Sequence, residues 1–129
     1  MRVVVDPNVF VSALTCPGGR GDQAVGRIIA GGDSLAISKP IVDELLGVLA
    51  RMFGRDREEL ARVAVFLGSL GELVEPTESL AVLSDGPDNR ILECAVAADA
   101  HAIVTGDRAM LARRAHRRIR IVSLSEYLG

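Results

Sequence analysis

Apolar residues follow two alternating patterns along this chain, and each pattern predicts one kind of element. Short apolar runs bounded by turn-forming residues are typical of buried strands. Longer segments carry apolar residues at the spacing of helices that bury one face. We predict strands at residues 3–5, 34–38, 72–76, 102–105 and 119–124, and helices near residues 8–14, 23–30, 40–52, 57–69 and 88–98, with a short helix after residue 107.

Strands and helices in this alternation predict an α/β fold. We expect a three-layer α/β/α sandwich around a mainly parallel sheet of about five strands. The chain has 129 residues, which fits one domain over residues 1–129 with a hydrophobic core of its own. Because 49% of the residues are hydrophobic, the composition argues against a disordered chain.

The charge balance excludes some partners and leaves one open. A net charge of −2 does not indicate a protein that coats nucleic acid, and 3% aromatic residues give poor support for a base-stacking platform. Residues 107–120, however, carry six arginines against one acid. A solvated surface is the ordinary explanation of such a run. The functional alternative is a rim that binds phosphate groups, with Arg108, Arg113 and Arg114 as its candidates.

Cysteine usage and hydropathy indicate the compartment. Cys16 and Cys94 are far apart and have no metal-binding spacing, so we expect free thiols in a reducing environment. No apolar run approaches the ~20 residues of a membrane span. The first residues reach Asp6 and Pro7 too early for a secretory leader. The expectation is a cytoplasmic protein that does not bind membranes.

Four acidic residues are predicted to meet at one edge of the sheet. Asp6 directly follows the first strand in VVVDPNVF, and Asp107 directly follows the AIVT strand. Glu44 and Asp88 lie near the starts of helices, and Glu44 lies closer to the apolar stripe of its helix than Asp43 does. Ligands of parallel sheets bind at the carboxyl ends of the strands where the strand order reverses, so all four acids can converge there.

Each acid alone also has a purely structural explanation. Asp6 suits a helix N-cap, Asp88 and Asp107 lie where a helix dipole favours an anion, and Glu44 could be a solvated acid. Four carboxylates together repel one another unless they bind protons or a cation. Oxygen ligands without His or Cys suit Mg²⁺ or Mn²⁺. The set therefore predicts a metal site more strongly than any single member does.

The order and spacing of three segments resemble the PIN-domain family, in particular its VapC-like toxins of toxin–antitoxin pairs. VVVDPNVFVSAL is similar to the family's opening strand, acid and Asn-containing turn. ISKPIVDELLGVL is similar to its Ser-Pro-led helix with an inward Glu. DGPDNRILECAVAADAHAIVTGDRAML is similar to its block of acid and Asn, apolar helix, strand and Thr-Gly-Asp. The resemblance covers essentially the whole chain.

The resemblance implies a PIN-like fold and a metal-dependent endoribonuclease that cleaves RNA with Mg²⁺ or Mn²⁺. The family's catalytic and metal-binding acids correspond here to Asp6, Glu44, Asp88 and Asp107. Asn8 and Thr105 match positions that orient the carboxylates. A small antitoxin that covers the acidic pocket is the implied partner, and homodimers are common in the family.

Two positions depart from the family pattern. Pro7 stands where the family usually has Thr, which removes one hydroxyl and one backbone N–H near Asp6. Ala109 stands where many relatives have another acid, which weakens one metal position. Both departures put the rate and the number of metals in question more than the fold.

Two rival functions remain open at this stage. A PIN-like fold with weak or no activity would serve as an RNA- or protein-binding module. The departures at Pro7 and Ala109 are the reason to retain that alternative. A phosphotransfer domain would use Asp6 as a phosphate acceptor, but such domains want a second acid at position 8, which is Asn8. A dinucleotide-binding domain is disfavoured because CPGGRG lacks the glycine pattern and the position between strand and helix.

Overall fold

The computed structural model describes all 129 residues, and its strands and helices alternate as the sequence predicts. The strands are β1 (Arg2–Val5), β2 (Ser34–Ile37), β3 (Gly71–Leu73), β4 (Ala102–Val104), β5 (Ala115–His116) and β6 (Ile119–Val122). The helices are α1 (Pro7–Thr15), α2 (Arg20–Ile29), α3 (Lys39–Phe53), α4 (Arg57–Leu70), α5 (Gly86–Ala98), α6 (Arg108–Arg113) and α7 (Leu124–Leu128). None of these helices combines the length and the hydropathy needed to span a membrane.

The six strands form one sheet in the order β3-β2-β1-β4-β6-β5. All neighbouring strands are parallel except β5 and β6, which are antiparallel. From β1 the chain first builds outwards through β2 and β3, and it then returns to add β4 on the other side of β1. The strand order therefore reverses between β1 and β4, which is where a ligand crevice is expected in such a sheet.

Two hydrophobic clusters cover the two faces of the sheet. Successive side chains of a strand point to opposite faces, so Val3 and Val5 enter one cluster and Val4 enters the other. The first cluster adds residues of α1, α2, α3, α4 and α7. The second adds residues of α5 and α6 and Ile41 at the start of α3. Helices thus lie on both faces, and the predicted α/β/α sandwich is confirmed.

The sheet has six strands, where about five were expected. The additional strand, β5, has two residues and is too short to give an alternating pattern. It turns into β6 through Arg117, whose φ of +55° lies in the left-handed region. Gly, Asn or Asp usually marks such a turn, so an arginine gives no hairpin signal. β3 is also shorter than predicted, because it ends at Leu73.

Two helices differ from their predicted positions. The second helix was predicted over residues 23–30, directly after Asp22 as a possible cap, but α2 begins at Arg20 with Gly19 as its N-cap. The Asp22 carboxylate instead accepts a hydrogen bond from the Gly18 amide in the preceding turn. The chain also ends in a helix that was not predicted, α7, which begins with a capping box between Ser123 and Glu126. That S-x-x-E spacing was the available signal.

Candidate active site

A pocket of about 370 Å³ lies at the carboxyl ends of β1, β2 and β4. It spans the reversal of strand order, so its walls come from segments far apart in the sequence. Five carboxylates line it: Asp6, Glu44, Asp85, Asp88 and Asp107. The structure therefore brings the four predicted acids into one pocket and adds a fifth.

Asp6 is held rigidly at the end of β1. Its Oδ1 accepts a hydrogen bond from the Asn8 amide at 2.9 Å, which caps α1, and its Oδ2 accepts one from the Thr105 hydroxyl at 2.6 Å. The residue is only 3% exposed. Burial raises the pKa of Asp6, the two hydrogen bonds oppose that rise, and the negative charges of Asp107 and Asp85 add to it.

Thr105 connects Asp6 to the second strand-end acid. Its hydroxyl donates to Asp6 and accepts a hydrogen bond from the Asp107 amide at 3.0 Å. Asp107 is the N-cap of α6, and its Oδ1 accepts a hydrogen bond from the Met110 amide at 2.9 Å. The helix-capping explanation is therefore correct for Asp6 and Asp107, and it coexists with their position in the pocket.

Asp88 is the most perturbed acid of the pocket. It lies in the first turn of α5, is 6% exposed, and its Oδ2 has no hydrogen-bond partner. Burial raises the pKa of Asp88 to about 7, with further contributions from the negative charges of Asp107, Asp85 and Asp6. A buried carboxylate that lacks a partner and repels its neighbours is an arrangement that a bound cation would relieve.

Glu44 lines the pocket from α3 and is partly buried. Its neighbour Asp43 is exposed and forms an ion pair with Lys39 at 2.8 Å. The helical spacing, which placed Glu44 nearer the apolar stripe, agrees with this arrangement.

Three pocket-side residues were not singled out from the sequence. Asp85 is the N-cap of α5 and lines the pocket although it lies at the end of a long loop. Arg90 also lines the pocket, and its guanidinium binds the Glu93 carboxylate and the Leu80 carbonyl oxygen. Asn89 is the third, and it lies behind the pocket wall, where it contacts the loop that precedes α5.

The Asn89 side chain fixes the loop that carries Asp85. Its Oδ1 accepts hydrogen bonds from the amides of Val82 and Leu83, and its Nδ2 donates to the carbonyl oxygens of Leu83 and Asp85. All donors and acceptors of this buried amide are thereby used. The acid-Asn pair in the sequence was the available signal for this role.

The remaining predicted residues lie at different distances from the acids. Asn8 lines the pocket, but it supports Asp6 through its backbone amide, and the residue itself is exposed. Arg108, Arg113 and Arg114 are exposed and do not line the acid pocket. Pro7 is the first residue of α1, where its missing N–H breaks no helical hydrogen bond.

The donor set suits a hard divalent cation. Every ligand candidate is a carboxylate, Oδ2 of Asp88 is unsatisfied, and the pKa values of Asp6 and Asp88 are raised by burial and mutual repulsion. The side chains do not yet converge into a group of three or more that would share an ion as they stand. For three of these acids to share one ion, their carboxylates would have to move closer together.

Comparisons with known proteins agree with this fold. A family model described as "PIN domain" matches residues 2–109. The uncharacterized protein MJ1680 of Methanocaldococcus jannaschii is 27% identical over 118 residues, which cover 88% of this chain and 76% of that protein.

Two solved complexes have similar folds. VapBC2 from Rickettsia felis, solved with a DNA fragment from its promoter, gives a TM-score of 0.67 at 16% identity and covers 95% of this chain and 98% of that chain. VapBC-1 from nontypeable Haemophilus influenzae gives a TM-score of 0.68 at 15% identity, and the match covers 97% of this chain and 99% of that chain. At these identities the likeness to the two complexes concerns the fold alone. The PIN-domain family model, in contrast, matches most of the sequence. The chain therefore belongs to the PIN-domain family.

Proposed function

We propose that this chain is a metal-dependent endoribonuclease that hydrolyses RNA phosphodiester bonds, and that it acts as the VapC-like toxin of a toxin–antitoxin pair. The observation that carries the proposal is the convergence of five carboxylates on one pocket at the reversal of the strand order. The partnerless Oδ2 of Asp88 within that pocket adds a specific need for a cation.

Asp6, Asp88 and Asp107 are the residues that would hold Mg²⁺ or Mn²⁺, with Glu44 as a further ligand or as the base that positions the attacking water. When bound, the cation would activate water and neutralise charge on the scissile phosphate. Thr105 keeps Asp6 and Asp107 in fixed positions, so these two ligands are pre-organised before any substrate arrives.

The carboxylate of Glu44 is less constrained than those of Asp6 and Asp107. It enters the pocket from α3, whereas Asp6 and Asp107 each have one oxygen committed to a helix cap. The carboxylate of Glu44 forms no hydrogen bond or ion pair within the chain, so both of its oxygens are available to a water molecule.

The aspartyl-phosphate alternative receives no support from the geometry of Asp6. The carboxylate of Asp6 meets residue 8 only through the Asn8 backbone amide, at the position where such a domain would place a second acid. Its burial at 3% exposure further limits access for a phospho-donor.

An antitoxin partner and a homodimer belong to the same proposal. The matched solved structures are VapBC complexes, which supports a protein partner for this chain. Large apolar side chains are exposed on α3 and α4: Met52, Phe53, Val65 and Phe66. Exposed apolar surface of this kind is typical of a protein–protein interface.

The test is cleavage of a mixed structured RNA pool with Mn²⁺, Mg²⁺ or EDTA. Asp6→Asn and Asp107→Asn remove charged ligands while nearly keeping the shape, so both variants should fold and lose at least about 100-fold in rate. Asp43→Asn is the matched control, because it removes an exposed acid one residue from Glu44. Wild type that binds Mn²⁺ without cutting RNA would favour the non-catalytic binding module. Folded wild type that binds no divalent cation would overturn the proposal.

A further inference from the structure

A second groove, of about 730 Å³, lies between α6, β6 and α7. Its basic residues are Arg108, Arg114 and Arg120, and Glu126 is its one acid. None of the three guanidinium groups forms an ion pair or a hydrogen bond with another side chain. The groove therefore presents three unneutralised positive charges on a surface shared by two helices and a strand.

Other arginines of the same run are already engaged. Arg117 binds both carboxylate oxygens of Glu78, at 3.0 and 2.8 Å. Arg113 lies with its Nη2 3.4 Å from Nδ1 of His116. The structure thus separates the arginines with partners inside the protein from those that line the groove, and Arg118 is exposed and belongs to neither group.

The backbone of Arg114 fixes the position of this residue beside β6. Its φ of +63° lies in the region that side chains rarely adopt, at the C-cap of α6, where glycine is the usual residue. Its carbonyl oxygen accepts a hydrogen bond from the Ile121 amide at 2.8 Å, which ties it to β6. Arg114 is therefore carried on backbone that is anchored to the strand of Arg120, and not on a free loop.

The groove adjoins the acid pocket through α6. Asp107, which lines the pocket, is the N-cap of that helix, and Arg108, which lines the groove, is its first residue. A polyanion would be repelled by the five carboxylates of the pocket, where the one cation, Arg90, is already paired with Glu93. Its flanking phosphates therefore need cations directly outside the pocket.

We propose that Arg108, Arg114 and Arg120 form a phosphate-binding groove that holds the RNA backbone where it leaves the acid pocket. This inference rests on the proposed function and deepens it. It places Arg120 in the RNA-binding set beside Arg108 and Arg114, and it leaves out Arg113. RNA is favoured over an acidic protein segment because the groove begins at the site where the phosphodiester would be cut.

The experiment measures affinity for fluorescein-labelled bulk transfer RNA by anisotropy, in EDTA and in the Asp6→Asn background, so that no RNA is cleaved. Two double variants are compared. The groove pair combines Arg108→Gln and Arg120→Gln. The control pair combines Arg57→Gln and Arg118→Gln, and it removes the same charge at two exposed, unpaired positions outside the groove. The groove pair should weaken binding by about tenfold and lower the slope of log affinity against log salt by about 1.4, since each phosphate contact contributes ~0.7. The control pair should change affinity by less than about threefold.

Arg114→Gly separates binding from folding. Glycine accepts a positive φ without strain, so the thermal midpoint should stay equal or rise while RNA affinity falls by about threefold. Equal losses from the groove pair and the control pair would overturn the inference. So would groove variants that keep wild-type RNA affinity but lose binding to polyglutamate, since the occupant would then be an acidic protein segment.

Failure of this inference is distinct from failure of the nuclease proposal. If wild type cuts RNA and the groove variants bind and cut as the control pair does, the nuclease stands and the groove is not its RNA site. If wild type cuts no RNA with any cation but the groove variants lose RNA binding, the groove stands and the nuclease proposal fails.

Discussion

The hydroxyl of Thr105 donates a 2.6 Å hydrogen bond to Oδ2 of Asp6, and neither residue is more than 3% exposed. The contact joins the carboxyl ends of β1 and β4, between which the strand order reverses. The same hydroxyl accepts a hydrogen bond from the Asp107 amide. One buried hydroxyl therefore fixes the relative positions of two acids that lie about a hundred residues apart in the sequence.

Removal of this hydroxyl should cost both stability and activity. Thr105→Val keeps the shape but leaves Asp6 Oδ2 and the Asp107 amide without their partner, so the free energy of unfolding should fall by about 1–3 kcal/mol. The pKa of Asp6 should rise further, because a hydrogen bond that lowers it is lost. Denaturant unfolding and RNA cleavage measure the two effects. Thr105→Ser, which keeps the hydroxyl, should retain most of both, whereas a loss in Thr105→Ser with none in Thr105→Val would assign the effect to the methyl group.

The strand-end acids could be predicted because their positions depend on local patterns. A short apolar run that ends in an acid predicts a buried strand and also places the acid at the edge of the sheet. This reasoning placed Asp6 and Asp107 correctly at the same edge. The alternation of strands and helices likewise specified the three layers, because helices connecting parallel strands must cover the faces of the sheet.

Asp85 could not be predicted because nothing local determines its position. It ends a loop, residues 74–85, that has no strand or helix and no apolar periodicity. The loop is placed by tertiary hydrogen bonds from α5, in which Asn89 binds residues 82, 83 and 85 and Glu93 accepts from the Leu80 amide. Arg120 belongs to the basic run of the sequence, but only the packing of β6 beside α6 brings it into one groove with Arg108.

Asn89 should be among the polar side chains whose loss is most costly. Asn89→Ala leaves the amides of Val82 and Leu83 without acceptors, which should lower the free energy of unfolding by about 2–4 kcal/mol. Hydrogen exchange at these two amides should accelerate, and this measurement separates loop release from global unfolding. Asn89→Asp is the comparison, because it keeps an acceptor for the two amides while it loses the donors and adds a negative charge beside Asp88, so it should be destabilised but exchange more slowly than Asn89→Ala at these amides. Unchanged exchange at both amides in Asn89→Ala would show that the loop is held by other contacts.

His116 should make the protein less stable in acid. Burial lowers the pKa of His116, and the positive charges of Arg113 and Arg117 lower it further. The unfolded chain therefore binds a proton near the ordinary value of 6.5, whereas the folded chain binds it only at lower pH. The free energy of unfolding should decrease as the pH falls below about 6.5. His116→Asn, which keeps a polar atom near Arg113, should flatten that decrease, and parallel pH curves for the two proteins would contradict the assignment.

Asp88 should change stability with pH in the direction opposite to His116, and its charge links the stability of the protein to cation binding. Its pKa rises from 3.8 to about 7 in the folded protein, so between these values the folded state binds more protons than the unfolded state. In EDTA, stability should therefore fall as the pH rises through that window, and the loss should be complete above pH 7. Asp88→Asn cannot ionise, so it should match wild type near pH 4 and exceed it at pH 8.

The size of that difference and its response to Mn²⁺ complete the prediction. At pH 8 in EDTA, Asp88→Asn should be more stable than wild type by on the order of a few kcal/mol, since each pKa unit corresponds to about 1.4 kcal/mol. Added Mn²⁺ should raise the thermal midpoint of wild type more than that of Asp88→Asn, because ligand binding to the folded state stabilises it and the variant lacks one charged ligand. Asp43→Asn should respond to Mn²⁺ as wild type does, because Asp43 is exposed and lies outside the pocket. If Asp88→Asn were instead less stable than wild type at pH 8 in EDTA, the Asp88 carboxylate would be stabilised by its surroundings, and the charge repulsion that favours a cation in this pocket would be absent.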